Sequence, residues 1–337
     1  MTAFRDCLTR RKVMALACAA AAASPHGARA QQSERMRRIG TLVGRLPGDP
    51  EGQRQVAAFQ KELEQLGWSP SRNVTIEYRW HGGDVGRARV LARELVDLRP
   101  DIIVANTTPS LIAVRQAAPS MPIVFVAVAD PVAQGFVQSL ARPGGHITGF
   151  GVEEPGMGAK WLELLQEIAP GIGPVSTMFN PDTAPYAKLF LREIKAARAP
   201  SAGELIVSPV QHESDIERVI LAAGRQAPSG LIVLPDSFLV RYRRLIAELA
   251  AQNRLPAVYP IAEFTSAGGL IAYGFDRVDL FRRAASYVDR IFRGEYPGDL
   301  PVQHPTKFQL VINLKTAKAL GFAIPPTLLA RADDVIE

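Results

Sequence analysis

The stretch Pro122-Ile-Val-Phe-Val-Ala-Val-Ala-Asp130-Pro-Val-Ala-Gln134-Gly-Phe136 decides the fold class. It begins as an apolar run of strand length, which is typical of a strand buried on both faces of a parallel sheet. The run ends in Ala-Asp-Pro, so the strand brings the carboxylate of Asp130 to its C-terminal end. Open α/β sheets bind ligands at that edge. The stretch therefore predicts a parallel α/β sheet with a candidate binding residue at Asp130.

Strand and helix patterns alternate on both sides of this stretch. Residues 39–118 contain three strand segments, each followed by apolar residues that recur at helical spacing. The alternation restarts after a glycine-rich segment at 142–149, which we interpret as a crossing between lobes. Two such series predict two Rossmann-like lobes with parallel sheets. A further strand, a helix and a last strand at 308–313 predict that the chain revisits both lobes through a multi-strand hinge.

The predicted organisation has three parts. Residues 1–30 form a signal peptide, residues 36–148 plus about 274–300 form the N-terminal lobe, and residues 149–273 plus about 301–337 form the C-terminal lobe. A chain of 337 residues with 47% hydrophobic content is long enough for two domains of ordinary size.

The N-terminus has the three parts of an export signal. The basic Arg10-Arg11-Lys12 precedes an apolar run at 13–23, and Ala28-Arg29-Ala30 fits a small-x-small cleavage site. The apolar run is shorter than the ~20 residues that a membrane-spanning helix needs. We therefore expect cleavage after Ala30 and a periplasmic protein, exported by either the Sec or the twin-arginine route.

Charge and cysteine content exclude several classes of function. The formal charge is +6, but the first thirty residues carry five Lys and Arg and one Asp, so the remainder carries +2. A chain near neutrality gives no electrostatic footprint for nucleic acid. Both cysteines, Cys7 and Cys18, lie in the signal segment, which excludes disulfides and thiolate chemistry in the processed protein.

No catalytic, metal or cofactor motif stands out. The histidines are scattered, and we expect them at the surface or in turns; they are His26, His81, His146, His212 and His304. The chain lacks a Gly-x-Ser-x-Gly elbow, a Gly-x-Gly-x-x-Gly loop and a Gly-Lys-Ser/Thr loop. We therefore expect a non-catalytic protein without cofactor or metal. The enzymatic alternative is acid–base catalysis by Asp130 and Asp236.

Short polar side chains follow several predicted strands. Thr107 and Thr108 lie where a strand meets a helix, so they could bind a ligand carboxylate or simply cap the helix. Asp130 could pair with a ligand ammonium or cap the next turn. Asp236 ends a strand in the second lobe, and the two acidic strand ends are expected to face each other across a cleft. Glu263, beside aromatic residues, is either a pocket carboxylate or a solvent-facing one.

The chain resembles the ABC-transporter substrate-binding proteins of the TrpX-like kind, which have the type I periplasmic-binding-protein fold. The resemblance runs from about residue 38 to residue 337. It is carried by Leu66-Gly-Trp68, Asn73-Val-Thr-Ile-Glu-Tyr-Arg-Trp80, Asp130-Pro-Val-Ala-Gln-Gly-Phe-Val137, Leu140-Ala-Arg-Pro-Gly-Gly145, Lys160-Trp-Leu-Glu-Leu-Leu165, Leu234-Pro-Asp236, Pro301-Val-Gln-His-Pro-Thr-Lys-Phe308 and Asn313-Leu-Lys-Thr-Ala-Lys-Ala-Leu-Gly321.

The resemblance implies a monomeric protein whose cleft closes on a small ligand and hands it to an inner-membrane permease with a separate ATPase. Its implied ligand contacts, carried over position by position, are Arg45, Leu46, Thr107, Thr108, Ala129, Asp130, Asn180, Asp236 and Glu263. Arg45 and Leu46 stand where relatives often have small hydroxyl residues, and Thr107 stands where glycine is usual. A bulkier, partly cationic entrance argues against tryptophan or tyrosine as the ligand and suits one with an additional acidic group.

The sequence thus predicts an exported solute-binding component of an ABC importer for a small amino-acid-like or carboxylated ligand. The alternative is a periplasmic sensing module that presents the same ligand-bound form to a membrane receptor. Both use the closed form, so the residues do not separate them.

Overall fold

The computed structural model describes residues 36–70, 72–152, 156–198, 203–226 and 228–337. The predicted signal peptide at 1–30, with its two cysteines, lies outside the described residues. Within the described ranges, none of the helices combines the length and the apolar character that a membrane crossing requires.

The first lobe is a five-stranded parallel sheet with helices on its faces. Its strands are β1 (Arg37–Val43), β2 (Val74–Trp80), β3 (Ile102–Asn106), β4 (Ile123–Val128) and β5 (Ile147–Gly151), in the order β2-β1-β3-β4-β5. Its first helices are α1 (Pro50–Gln65), α2 (Val85–Asp97) and α3 (Thr108–Ala117). All six residues of β4 are buried, as the apolar run predicts. All neighbouring strands in this sheet run parallel.

The second lobe is a seven-stranded sheet built by the same alternation. Its elements are α4 (Met157–Ile168), β6 (Val175–Phe179), α5 (Ala187–Ala197), β7 (Leu205–Pro209), α6 (Glu213–Gly224), β8 (Gly230–Val233), α7 (Ser237–Arg241), α8 (Arg243–Gln252), β9 (Ala257–Tyr259), α9 (Glu263–Ser266) and β10 (Ile271–Phe275). Later elements complete it, in the order β12-β11-β10-β9-β8-β6-β7. Only the β10–β11 pair is antiparallel among the strand pairs that the described residues form in this sheet.

The chain passes between the lobes three times. It leaves the first sheet after Gly151 and returns after β10 as α10 (Arg277–Phe292), which packs on α1 and β4. It then touches β5 at Gln303, whose backbone N–H donates to Gly149 and whose carbonyl accepts from Gly151. Finally it rejoins the second sheet as β11 (Phe308–Asn313), α11 (Leu314–Leu320), α12 (Pro326–Leu329) and β12 (Asp334–Ile336). Three connections at one edge restrict the relative motion of the lobes to a hinge.

The predicted fold class is confirmed: the molecule has two Rossmann-like lobes with mostly parallel sheets, joined by several crossings. The segment 142–149, interpreted as a crossing, instead contains part of β5, so the glycine-based interpretation is wrong there. Gly149 is required for this strand, because an added Cβ would lie 2.1 Å from the Phe125 carbonyl oxygen of β4. Glycine here marks a close approach of two backbones.

Two helices differ from what the sequence pattern predicts. The helical spacing of Val90, Leu91, Leu95 and Leu98 predicts that they form one face of α2, but Val90 is 57% exposed and the buried residues are Ala88, Ala92 and Leu95. Small side chains allow α2 to pack closely on α3, so alanine marks the buried face better than valine.

The pattern over 238–252 predicts one helix, but the structure has two helices that meet at Tyr242. Trp161 lies at a helix position where core packing is expected, and it is buried in the core.

Candidate functional site

The C-terminal edges of the two sheets face each other and are in contact, and we call this contact the interlobe seam. From the first lobe it includes Arg45 after β1 and Gly83 after β2. From the second lobe it includes Ser237 after β8 and Glu263 after β9. An added Cβ on Gly83 would lie 2.7 Å from the Ser237 carbonyl oxygen, so the two backbones are close. Open α/β sheets place their binding loops at this edge.

Backbone strain concentrates at the first-lobe side of the seam. Thr107, Ala127 and Asp130 have φ values of 80°, 60° and 29°, and they lie at or next to the ends of the adjacent strands β3 and β4. The other described non-glycine residues with positive φ, Arg99 and Arg254, each follow the C-cap of a helix, where that conformation is common. Positive φ at non-glycine residues away from helix C-termini is strained, and such strain is typical of functional sites.

The side chains at the ends of β3 and β4 support these loops. The Thr108 hydroxyl is buried and accepts a hydrogen bond from the Ala129 N–H at 3.3 Å. Asp130 Oδ1 accepts from the Ala133 N–H at 2.9 Å, so this carboxylate caps the next turn while remaining half-buried. Asn106 Oδ1 accepts from the Gly44 N–H at 3.2 Å and ties the β3 end to the β1 end. The predicted first-lobe positions therefore form one connected loop cluster.

Asp236 is directed into its own lobe. Its Oδ1 accepts from the Thr183 hydroxyl at 2.6 Å and from the Phe238 N–H at 2.7 Å, and its Oδ2 accepts from the Asn180 N–H at 2.5 Å. Burial raises the pKa of Asp236 to about 6, and these hydrogen bonds offset the rise only in part. The expected pair of free acidic strand ends facing each other is therefore not formed, because Asp130 and Asp236 each bond within their own lobe.

Asn180 is held by the same local network. Its Oδ1 accepts from the N–H groups of Asp182 at 2.8 Å and Thr183 at 3.3 Å, which is the geometry of an Asx turn. The side chain is 4% exposed. Asn180 and Asp236 together fix the loop after β6 on the second-lobe side of the seam.

Arg45 does not present a free positive charge. Its Nη2 lies 2.6 Å from Glu263 Oε1 of the second lobe, and its Nη1 lies 3.5 Å from Asp49 Oδ1. Asp49 Oδ2 in turn lies 2.8 Å from Arg243 Nη2 of the second lobe. The interpretation of Arg45 as a cationic entrance is therefore wrong for this closed arrangement, because two carboxylates neutralise it. Leu46 is 42% exposed and lies beside Gly82.

Glu263 is the predicted carboxylate that makes a contact across the seam. Burial opposes its ionisation, but the facing Arg45 and Arg277 guanidinium groups outweigh this effect and hold the pKa of Glu263 below its usual value. Burial also opposes the ionised form of Arg277, and for this basic group it lowers the pKa to about 10. The solvent-facing alternative for Glu263 is therefore wrong.

Two large cavities border the seam. One, of about 490 Å³, lies between the lobes and is lined by Asp84 and Arg89 from the first lobe and by Asn180, Thr183 and Phe238 from the second. The other, of about 550 Å³, lies beside Glu263 and Arg277 at the hinge side. Both volumes fall within the range of small-molecule pockets.

Sequence reasoning missed several residues of the seam. Asp49, Gly83 and Arg243 carry no motif, and their proximity depends on how the lobes dock. His81, expected at the surface or in a turn, begins the turn 81–84 but is buried, with Nε2 2.9 Å from Ser110 Oγ. Among the described residues, no group of three or more His, Cys, Asp and Glu side chains is placed to hold a metal ion.

Comparison with known proteins identifies the family. The family described as ABC transporter substrate binding protein matches residues 49–336. The chain belongs to this family. A curated relative, the tyrosine-binding protein of Clostridioides difficile (strain R20291), is 25% identical over 292 residues, covering 86% of this chain and 82% of the relative.

Solved structures agree with this ABC substrate-binding family. A conserved domain protein from Vibrio cholerae has a TM-score of 0.81 and 26% identity, and the match covers 89% of this chain and 100% of that one. An ABC domain from Streptococcus pneumonia, in complex with L-Trp, has a TM-score of 0.80 and 22% identity, covering 89% and 99%. The chain therefore shares its two-lobed fold with both of these proteins.

Proposed function

We propose that this chain is the exported solute-binding component of an ABC importer, which closes its two lobes on a small amino-acid-like ligand. The observation that carries the proposal is the interlobe seam, where strand-end loops of the two lobes meet at Gly83 and Ser237 and at Arg45 and Glu263. A ligand can favour closure only by contacts that it gains in the closed form. Loops held rigidly on both sides of the seam would provide such contacts.

We propose that the ligand contacts Thr107, Thr108, Ala129 and Asp130 on the first lobe and Asn180 on the second. Asp130, half-buried and with one oxygen engaged by a backbone N–H, would neutralise a ligand ammonium. Asp236 would act indirectly, by holding the Asn180 loop. Because Glu263 neutralises Arg45, the positive charge of this residue no longer disfavours aromatic amino acids, and the name of the tyrosine-binding relative supports such ligands.

The remaining parts of the proposal follow from the family and the sequence. The mature protein would begin at Gln31 in the periplasm and act as a monomer that delivers its ligand to a membrane permease with a separate ATPase. It would perform no catalysis itself. We propose that the lobes divide at the observed crossings after Gly151, Phe275 and Gln303, a few residues beyond the predicted bounds.

A thermal-shift screen tests the proposed ligand class. We expect tyrosine, tryptophan or a related amino acid to raise the melting temperature in a concentration-dependent manner, because a ligand that binds only the folded state stabilises it. Arabinose serves as a chemically unrelated control. If no amino acid or carboxylic acid stabilises the protein, the proposed ligand class is wrong.

The Asp130→Asn variant tests the site. The substitution retains an oxygen that can accept from Ala133 but removes the charge, so we expect about tenfold weaker binding of the stabilising amino acid. The matched control is Asp97→Asn, which removes an exposed carboxylate at the end of α2, away from both cavities. Equal affinities of the two variants would place the ligand elsewhere.

A further inference from the structure

Four charged side chains form a continuous chain across the interlobe seam. In spatial order they are Arg243, Asp49, Arg45 and Glu263, with successive nitrogen–oxygen distances of 2.8, 3.5 and 2.6 Å. The inner two belong to the first lobe and the outer two to the second, so both end contacts cross the seam. We call these four residues the charge chain.

The charge chain is well shielded from solvent. The side chains of Arg45 and Asp49 are 4% and 7% exposed, and those of Glu263 and Arg243 are 13% and 16% exposed. Exposed ion pairs contribute little to stability, whereas removing one partner of a buried pair is costly because the other charge is left uncompensated. The two crossing contacts are therefore buried enough that removing one partner is expected to destabilise the closed form.

The two crossing contacts exist only when the lobes are together. If the lobes separate, Arg45 and Asp49 remain neighbours on the first lobe, while Glu263 and Arg243 move away with the second lobe and become hydrated. A substitution of Glu263 or Arg243 would therefore leave one buried charge in excess in the closed form, because the remaining three residues no longer balance, whereas in the open form the remaining outer residue is hydrated and Arg45 and Asp49 still pair. The penalty would act on closure and not on folding of either lobe.

We propose that the charge chain is an interlobe lock that stabilises the closed form before ligand binds, and that Arg45 is a closure residue and not a subsite for an acidic ligand group. The chain has two positive and two negative members, so Arg45 presents no unpaired charge to a ligand. A second carboxylate on the ligand would have to displace Glu263 from Arg45 and leave Glu263 buried beside Arg277 alone. The lock thus disfavours ligands with an additional acidic group at this position.

The lock can be measured without any ligand. The sequence has only two cysteines, so the full chain with Cys7→Ser and Cys18→Ser accepts one label per lobe at Arg93→Cys and Glu217→Cys, both exposed. Pulsed electron–electron double resonance between spin labels then gives the populations of short and long interlobe distances. We expect Glu263→Gln and Arg243→Gln each to lower the closed-to-open ratio about tenfold.

Matched controls are available on the same helix as Arg243. Arg244→Gln and Glu248→Gln remove the same types of charge from exposed positions of α8. We expect neither to change the distance distribution. Urea unfolding of all four variants shows whether a change in distance comes from a loss of folding, because a closure effect leaves the unfolding midpoint of each lobe nearly unchanged.

Two results would overturn the inference. One is an unchanged distance distribution in both Glu263→Gln and Arg243→Gln. The other is a ligand comparison in which glutamate stabilises the wild-type chain and Arg45→Gln abolishes only that stabilisation, since Arg45 would then read an acidic group directly. The lock rests on the proposed function only for its effect on ligand choice, so a failed amino-acid screen leaves the distance measurement as an independent test.

Discussion

At the scale of single residues, Asp236 has the position of a binding residue but the contacts of a structural one. Its carboxylate accepts bonds from the loop after β6 and from the first turn of α7. The sequence Leu234-Pro-Asp236 identifies a carboxylate at a strand end, but it contains no information on where the side chain points. Only the packed loop after β6 supplies the donors that turn it inward.

We expect Asp236→Asn to lower the free energy of unfolding by about 2–4 kcal/mol at pH 7.5. The asparagine oxygen can still accept from Thr183 and Phe238, but its amide nitrogen would face the Asn180 N–H, and two donors cannot bond to each other. Urea denaturation followed by circular dichroism measures the change. The control Asp182→Asn, at an exposed site in the same lobe, should be nearly neutral; an equal loss in both variants would contradict the structural role.

His81 makes stability depend on pH. Burial lowers the pKa of His81 to about 4, with the nearby Asp84 carboxylate raising it only in part and the Arg87 charge lowering it further. Between pH 6.5 and 4 the unfolded chain binds a proton that the folded His81 does not, so stability falls as the pH falls through this window. Asp236 acts in the opposite direction, since its raised pKa makes stability fall as the pH rises from 3.8 to about 6.

Comparison of variants isolates the His81 contribution. From pH 7 to pH 5 we expect wild type to lose about 2 kcal/mol more unfolding free energy than His81→Gln, which does not titrate. The substitution His146→Gln, at an exposed histidine, should keep the wild-type pH dependence. If the unfolding free energies of wild type and His81→Gln change with pH in parallel, the buried histidine does not control the pH dependence of stability.

At the scale of secondary structure, the strand ends could be predicted but the backbone strain at them could not. The apolar segments of the sequence predict β3, β4 and the helix that follows β3. Strands that are buried on both faces of a parallel sheet need continuous apolar residues, so these strands can be recognised. Threonine itself does not indicate the positive φ of Thr107, since it rarely adopts that conformation; the sequence signal is the glycine that is usual at this position in the family that the chain resembles. The positive φ follows from the close packing of the β1 and β3 ends, where an added Cβ on Gly44 would lie 2.9 Å from the Thr107 methyl group.

A pair of substitutions at Thr107 tests whether this strain is real. Both Thr107→Gly and Thr107→Ala remove the side chain, but only glycine adopts φ near 80° without cost. We expect the glycine variant to be about 1 kcal/mol more stable than the alanine variant in urea unfolding. At Thr75, within β2, the order should reverse, because glycine weakens an ordinary strand. A more stable alanine variant at both positions would contradict the assigned backbone conformation.

At the scale of the whole molecule, the sequence indicates two lobes and several crossings, but not how the lobes dock. Periodicity and strand-end position are local properties, whereas the pairing of Arg45 with Glu263 joins residues from different lobes. The net charge near neutrality could not reveal that these charges are arranged as buried pairs. The docking geometry therefore had to come from the structure, and it changes the meaning of Arg45 from ligand recognition to closure.

The last prediction concerns the backbone contact between the lobes at Gly83. An added Cβ there would lie 2.7 Å from the Ser237 carbonyl oxygen and 3.0 Å from the Phe238 Cα, both on the second lobe. We expect Gly83→Ala to hold the lobes apart, to increase the radius of gyration in small-angle X-ray scattering, and to weaken amino-acid binding about tenfold. The effect should add to that of Arg243→Gln only partly, because both oppose the same closure.

Gly67→Ala is the control for the backbone cost. Gly67 also has a positive φ, 97°, but no atom outside its chain neighbours lies within 4 Å of an added Cβ. Both alanine variants should therefore lose a similar amount of folding stability, about 1 kcal/mol, since both force alanine into a left-handed conformation. Only Gly83→Ala should change the scattering curve. If the two variants scatter alike, the close approach at Gly83 does not limit closure, and the seam tolerates a methyl group.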